Sequence, residues 1–103
     1  MNTRVGRYVR MVAVPGSGAA LAEGLLKVAE GMRTAPGCEL YVVNRTPDEE
    51  DAVWVTEVWS DEAASDAALN RDLGEAGFGE VLPLLAGPPE FIELNPVGGP
   101  GLS

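Results

Sequence analysis

The chain has 103 residues, of which 46% are hydrophobic and 22% are charged, so it has the size and composition of one globular domain. Its net charge of −9 disfavours binding to nucleic-acid phosphates and anionic membranes, and no apolar run reaches the roughly 20 residues that a membrane-spanning helix needs. The chain contains no histidine, which excludes Ser-His and Cys-His catalytic pairs, histidine-ligated haem and histidine-based metal sites.

The N-terminal segment and the cysteine content bear on location. Arginines interrupt the only apolar run near the N-terminus, which makes that run a poor secretion signal. The single cysteine, Cys38, has no partner for an internal disulfide, as is typical of a reducing compartment. We therefore expect a cytoplasmic protein without a nucleic-acid or membrane partner.

Hydrophobic patterning predicts strands and helices in the order β-α-β-β-α-β. The first helix has apolar residues at helical spacing, and Ser17 is its expected N-cap. The second helix begins at Ser60 or Asp61 and is expected to break around Gly74 and Gly77. The predicted strands are rich in β-branched and aromatic residues and lie at 7–14, 39–45, 52–59 and 91–94.

An acidic run at residues 48–51 lies between the second and third strands, which form an expected antiparallel hairpin. Charge clusters between two strands usually mark an exposed loop, so we interpret the run as a solvated turn. A carboxylate site for a hard cation is the alternative, although the run lacks the regular ligand spacing of a calcium loop. We expect no bound metal.

The predicted order is that of the α+β ferredoxin-like fold, in which helices cover one face of an antiparallel sheet. Residues 1–95 are expected to form one such domain, and residues 96–103 a flexible tail. Alternation in the third strand puts Val55 and Trp59 on one face and Trp54 on the other, so both faces are apolar. Since the helices cover one face, we expect the other face, with Trp54, to pack against a second copy in a homodimer.

The order of four short segments resembles the antibiotic biosynthesis monooxygenase family, whose members are small dimeric α+β barrels. The segments are PGC ahead of a strand with Tyr41, then RTPDEED, VWVTEVWSDEAASDAAL and LLAGPPE. The resemblance implies oxidation of an anthrone-type polyketide or a quinol by O₂ in a cleft between sheet and helices. It also implies that no flavin, metal or haem takes part, because the deprotonated substrate itself gives an electron to O₂.

Two departures from the family pattern bear on the chemistry. The haem-degrading members have a Trp at the position of Trp59 and an axial histidine on the second helical segment, and this chain has no histidine. In the anthrone oxygenases an asparagine four residues before that Trp helps to hold the substrate. Val55 occupies that position here, so the resemblance carries over the Trp without its polar partner.

The candidate catalytic residues are Trp59, Asn44 and Glu57. Trp59 either lines the cleft or only packs the second helix onto the sheet. Asn44 either replaces the missing asparagine beside Trp59 or is solvated at a strand end. Glu57 either acts as a base on a phenol or pairs with a strand arginine such as Arg10 or Arg45. The expected substrate-binding residues are Tyr8, Arg10, Val55, Phe78 and Leu82.

The favoured function is therefore a cofactor-independent monooxygenase that acts on an aromatic, polyketide-like or quinol substrate. A non-catalytic dimeric binding protein for a hydrophobic metabolite is one alternative. A cofactor-free cyclase or isomerase, which would use the same deprotonation without O₂, is another. The expected partners are a small aromatic or hydrophobic molecule and a second copy of the chain.

Overall fold

The computed structural model of the protein describes residues 4–74 and 78–101, and only the backbone of residues 69–74, 78 and 80. The elements are β1 (Val5–Val12), α1 (Gly18–Met32), β2 (Cys38–Thr46), β3 (Glu49–Trp59), α2 (Glu62–Gly74), α3 (Phe78–Val81), a 3-10 turn (Leu82–Leu84) and β4 (Glu90–Leu94). The strands form one antiparallel sheet in the order β2-β3-β1-β4. This architecture confirms the predicted ferredoxin-like α+β fold. The predicted helix break coincides with the end of α2 at Gly74, and Gly77 lies outside the described residues.

The main core lies on the face of the sheet that the helices cover, here called the helix face. Val9 on β1 pairs in register with Val55 on β3, and both are buried. Leu21 and Leu25 of α1 pack against these strand residues and are fully buried, as is Val81 of α3. The apolar spacing predicted for the first helix is therefore the face that α1 buries. No helix within the described ranges is long and apolar enough to cross a membrane.

The opposite, open face of the sheet carries large side chains that no helix covers. Tyr8 of β1 and Ile92 of β4 lie beside one another in register and are 43% and 49% exposed. Leu40 and Val42 of β2 are also exposed. Trp54 of β3 lies on this face, as strand alternation predicts, and its ring meets that of Tyr8 edge to face at 6.5 Å.

The acidic run is not simply a solvated turn. β3 begins at Glu49, so the hairpin loop is shorter than predicted. The carboxylate of Asp51 accepts hydrogen bonds from the backbone N–H groups of Gly16, at 3.2 Å, and Gly18, at 3.0 Å. Asp51 therefore caps α1 from the neighbouring strand, where its charge suits the positive end of the helix dipole.

The predicted capping role of Ser17 is wrong. Ser17 occupies the N-cap position, but its side chain makes no capping hydrogen bond. Its φ of −106° and ψ of 9° lie outside the extended region that lets a capping side chain fold back onto the helix. The second helix follows the prediction, because Asp61 Oδ1 accepts the backbone N–H of Ala64 at 2.8 Å.

The tertiary cap gives a direct stability prediction. Asp51→Ala should lower the free energy of unfolding by about 0.5–2 kcal/mol, the usual cost of losing a helix cap. Asp48→Ala removes an exposed acid from the same run and should change it by no more than about 0.5 kcal/mol. Urea unfolding followed by circular dichroism measures both values. Equal effects of the two substitutions would show that Asp51 contributes nothing as a cap.

Candidate active site

The residues expected to form one site lie on two faces of the sheet. Val55, Glu57 and Trp59 of β3 are on the helix face, and all three are buried. Tyr8, Arg10 and Asn44 are on the open face with Trp54. Residues that pair in register on neighbouring strands share a face of the sheet, and successive residues along one strand point to opposite faces. The sheet itself therefore separates the two groups. The prediction of one cleft that contains all these residues is therefore wrong.

The two predicted residues after α2 are Leu82 and Phe78, and the structure describes the side chain of Leu82. Leu82 lies in the 3-10 turn and is 52% exposed, so it packs against little of the helix face. The side chain of Phe78 lies outside the described residues, and its expected role in substrate binding stays a prediction.

Trp59 is buried at the end of β3 beneath α2. It is 1% exposed and packs with Val28 and Met32 of α1 and with Ala68 of α2. Its indole Nε1–H donates a hydrogen bond of 2.9 Å to Glu57 Oε1, and this bond is itself buried. Trp59 is therefore a core residue, and it also orients a buried carboxylate.

Glu57 does not pair with either of the arginines expected for it. Arg10 lies on the other face of the sheet, where it forms ion pairs with Glu49 and Glu90. Hydrogen bonds to Glu49, and then to Glu90, raise the pKa of the Arg10 guanidinium. The Arg45 guanidinium donates to the backbone carbonyl of Glu50 at 2.6 Å. The partner of Glu57 is instead Trp59, two residues along the same strand and on the same face.

Two buried polar residues on or facing the helix face were not among the site residues predicted from the sequence. Arg7 is opposite Glu57 in register, and Ser65 lies on the buried side of α2; they are 7% and 1% exposed. Within the described part of the chain, neither Arg7 Nε nor Ser65 Oγ has a hydrogen-bond partner. A strand arginine and a serine in an early helical turn are ordinary surface residues by pattern, so only the register and the burial identify them.

The electrostatics of this region act on the one cysteine. Cys38 is opposite Trp59 in register and is partly buried. Burial raises the pKa of the Cys38 thiol, and the nearby carboxylate of Glu57 raises it further. The thiol is therefore held in its protonated form, which is a poor nucleophile.

The open face has a separate pocket of about 480 Å³ beside the Tyr8–Trp54 ring pair. Asn44 lines it, and its side-chain amide donates to Thr56 Oγ1 at 3.1 Å and to the Trp54 carbonyl oxygen at 3.2 Å. Asn44 therefore faces away from Trp59, and the expectation that it replaces an asparagine at Val55 is wrong. The amide is engaged within the sheet, where it links β2 to β3.

A model of the antibiotic biosynthesis monooxygenase family matches residues 5–77. A protein of Chloroflexus aurantiacus J-10-fl, named for this family without a proven activity, is 34% identical, with 98% of this chain and 100% of that chain covered and a TM-score of 0.83. No curated protein matches.

Two further solved structures share the fold at lower identity. A protein of Caulobacter crescentus CB15, also named for the family without a proven activity, is 23% identical over 94% of this chain and 92% of that chain, with a TM-score of 0.84. The NE2512 protein of Nitrosomonas europaea, of unknown function, is 24% identical over 95% and 93%, with a TM-score of 0.80. The family model and the relative from Chloroflexus together show that the protein belongs to the antibiotic biosynthesis monooxygenase family.

Proposed function

We propose that the protein is a cofactor-independent monooxygenase that oxidises an aromatic, polyketide-like or quinol substrate with O₂. Membership of the family supports the reaction class. The observation that carries the proposal is the buried pair of Trp59 and Glu57, a carboxylate oriented by an indole in the layer between the sheet and α2. In this layer Trp59 is the aromatic wall, and Glu57 is the base.

The chemistry needs a base and an apolar enclosure. Glu57 removes a proton from a carbon or oxygen of the substrate, and the resulting anion is electron-rich enough to reduce O₂. For a methylene between two aromatic rings the balance is R₂CH₂ + O₂ → R₂C=O + H₂O. Two C–H bonds are broken, one oxygen atom enters the product, and the other leaves as water. The protein contributes positioning and electrostatic stabilisation of the anion.

Oxygen uptake tests the proposal. Protein treated with EDTA and freed of flavin is mixed with a panel of anthrones and quinols, and uptake is corrected for the reaction without protein. We expect saturable uptake with at least one member of the panel. Tight binding without uptake would instead favour a non-catalytic binding protein, and an isomeric product formed under nitrogen would favour a cyclase or isomerase.

The binding-protein alternative has one specific observation in its favour. Val55, at the position of the substrate-holding asparagine of the anthrone oxygenases, is apolar and fully buried. A binding layer with one polar contact fewer would suit a hydrophobic metabolite, although it would orient a substrate less well for reaction. Restoring the amide with Val55→Asn should raise uptake in an oxygenase and leave a binding protein without uptake.

We further propose that the protein is a homodimer joined through the open face. Leu40, Val42, Ile92 and Leu94 make this face apolar, and each is more than one third exposed in a single chain. Exposed apolar patches of this kind mark interaction sites. A two-fold contact of the face with itself would also enclose the 480 Å³ pocket between two sheets.

A charge on the open face should separate the subunits. Ile92→Glu puts a carboxylate beside Tyr8 on the open face. In the dimer each of the two copies would bury this charge against the apolar sheet of the other, so we expect dissociation at micromolar concentration. Leu26→Glu is the matched control, because Leu26 is similarly exposed but lies on α1. Size-exclusion chromatography with light scattering measures the mass. A wild-type monomer, or an Ile92→Glu dimer, would contradict the proposed interface.

A further inference from the structure

Arg7 is a buried cation whose Nε–H has no hydrogen-bond acceptor in the part of the chain that the structure describes. Its side chain is 8% exposed, and its Nε lies 3.7 Å from Glu93 Oε2, too far for a good hydrogen bond. The Glu93 side chain is 71% exposed, so much of its charge is solvated. A guanidinium taken out of water needs acceptors for its N–H groups, and Nε has none among the residues that the structure describes.

Ser65 is a second donor that faces the same layer. Its Oγ is buried without a partner in the described ranges. Ala68, three residues further along α2, packs against Trp59, so Ser65 is on the side of α2 that is turned to the sheet. Buried polar groups are nearly always hydrogen-bonded, and two orphaned donors that border one layer indicate a missing acceptor.

The charged neighbours of Arg7 define which acceptor fits. Glu57 on β3 and Glu93 on β4 face it in register, and Tyr41 on β2 lies beyond Glu57. Over residues 62–68 of α2 the acidic side chains are exposed. A permanent carboxylate brought into the layer would be repelled by Glu57. A phenol or enol enters the layer without a charge, and its oxygen, once ionised, is an acceptor for the Arg7 guanidinium.

We propose that Arg7 and Ser65 bind the ionised oxygen of a phenolic or enolic substrate, which is thereby held as its anion in the layer between the sheet and α2. The inference rests on the proposed function and specifies its substrate class as molecules with an ionisable hydroxyl on an aromatic or enolic system. Arg7 supplies the charge, Ser65 supplies a hydroxyl donor, and Glu57 receives the proton.

The test follows the ionisation of a coloured phenol, 1,8-dihydroxyanthraquinone, whose visible absorbance shifts when it loses a proton. The probe is titrated against pH under nitrogen, free and bound to the full chain. An opposite charge close by lowers a pKa by about one to three units, so the bound probe should ionise about one to three pH units lower than the free probe. Arg7→Met should abolish the shift, and Ser65→Ala should reduce it.

Arg33→Met is the control, because it removes the same charge from the exposed C-cap of α1, where Arg33 pairs with Glu30. It should leave the shift unchanged. If Arg7→Met does not fold, Arg7→Lys keeps the charge without the Nε donor and should retain part of the shift. Wild-type protein that does not bind the probe, or does not lower its pKa, would overturn the proposal, as would an undiminished shift in Arg7→Met.

These outcomes are independent of oxygenation, since the titration is done without O₂. A lowered probe pKa together with no oxygen uptake from any substrate would overturn the monooxygenase proposal and leave anion binding by Arg7 and Ser65 in place. Oxygen uptake together with an unshifted probe pKa would overturn anion binding by Arg7 and Ser65 and leave the monooxygenase proposal in place.

Discussion

Replacement of Trp59 by alanine is expected to lower the free energy of unfolding by about 3–5 kcal/mol, the usual cost of deleting a large buried aromatic side chain. Trp59 is 1% exposed, and it fills the space between α1, α2 and the sheet. Among the α2 side chains that the structure describes, its neighbours are Ala64 and Ala68, which cannot expand into the space that the indole leaves. Urea unfolding with matched m-values measures the change.

Trp59→Phe separates packing from hydrogen bonding. Phenylalanine keeps most of the apolar contact with Met32 and Ala68 but cannot donate to Glu57 Oε1. Loss of this donor to a buried carboxylate should cost about 1–3 kcal/mol. Trp54→Phe is the comparison on the open face, and it should cost about 1.5 kcal/mol or less. A Trp59→Ala protein that is as stable as wild type would contradict the packing described above.

Ligand affinity then decides whether Trp59 is more than a core residue. We propose that one edge of the indole is packed and one face borders the substrate, so Trp59→Phe should weaken binding of 1,8-dihydroxyanthraquinone as well as lower stability. If stability falls and the affinity for the ligand is unchanged, Trp59 only holds the sheet and helices together.

The second large effect is expected at Glu57. Glu57→Gln keeps the shape of the side chain and an oxygen that accepts the Trp59 N–H, but an amide cannot take up a proton. If Glu57 is the base, oxygen uptake should fall about 10²–10⁴-fold, the usual contribution of general-base catalysis. Initial rates of oxygen uptake, measured at the same saturating substrate concentration, compare Glu57→Gln with wild type.

Glu39→Gln is the control for Glu57→Gln. Glu39 is exposed on β2 and pairs with Arg4, so the same charge is lost away from the buried layer. Its uptake should stay within about twofold of wild type, since surface charges act weakly at a buried site. Full activity in a folded Glu57→Gln protein would remove Glu57 from the mechanism.

The fold was predictable because local patterns and topology agree. Strand alternation and helical spacing place the same residues in the core that the structure buries, such as Val55 and Leu21. The capping of α1 was not predictable in this way, because Asp51 is 33 residues from Gly18 and reaches it only through the pairing of β3 with β1. Local propensity favoured Ser17, and a tertiary contact replaced it.

The site was harder to predict than the fold. The pattern within one strand tells which residues share a face, but the relation between strands depends on register. Arg7 and Arg10 are three positions apart and therefore lie on opposite faces of β1, and the register between β1 and β3 decides which of them lies beside Glu57. Both arginines could pair with Glu57 by charge. The register puts Arg7 opposite Glu57 and leaves Arg10 on the open face. Ser65 could not be found from sequence, because only its burial distinguishes it from a surface serine.

Isotope labelling tests most directly whether the chain itself oxygenates an aromatic substrate without a cofactor. Anthrone is incubated under ¹⁸O₂ with protein freed of metal and flavin, and the anthraquinone formed is analysed by mass spectrometry. We predict one ¹⁸O atom per product molecule, formed well above the rate without protein and lost in Glu57→Gln. A product without ¹⁸O, or no product above the rate without protein, would contradict the proposed oxygenase.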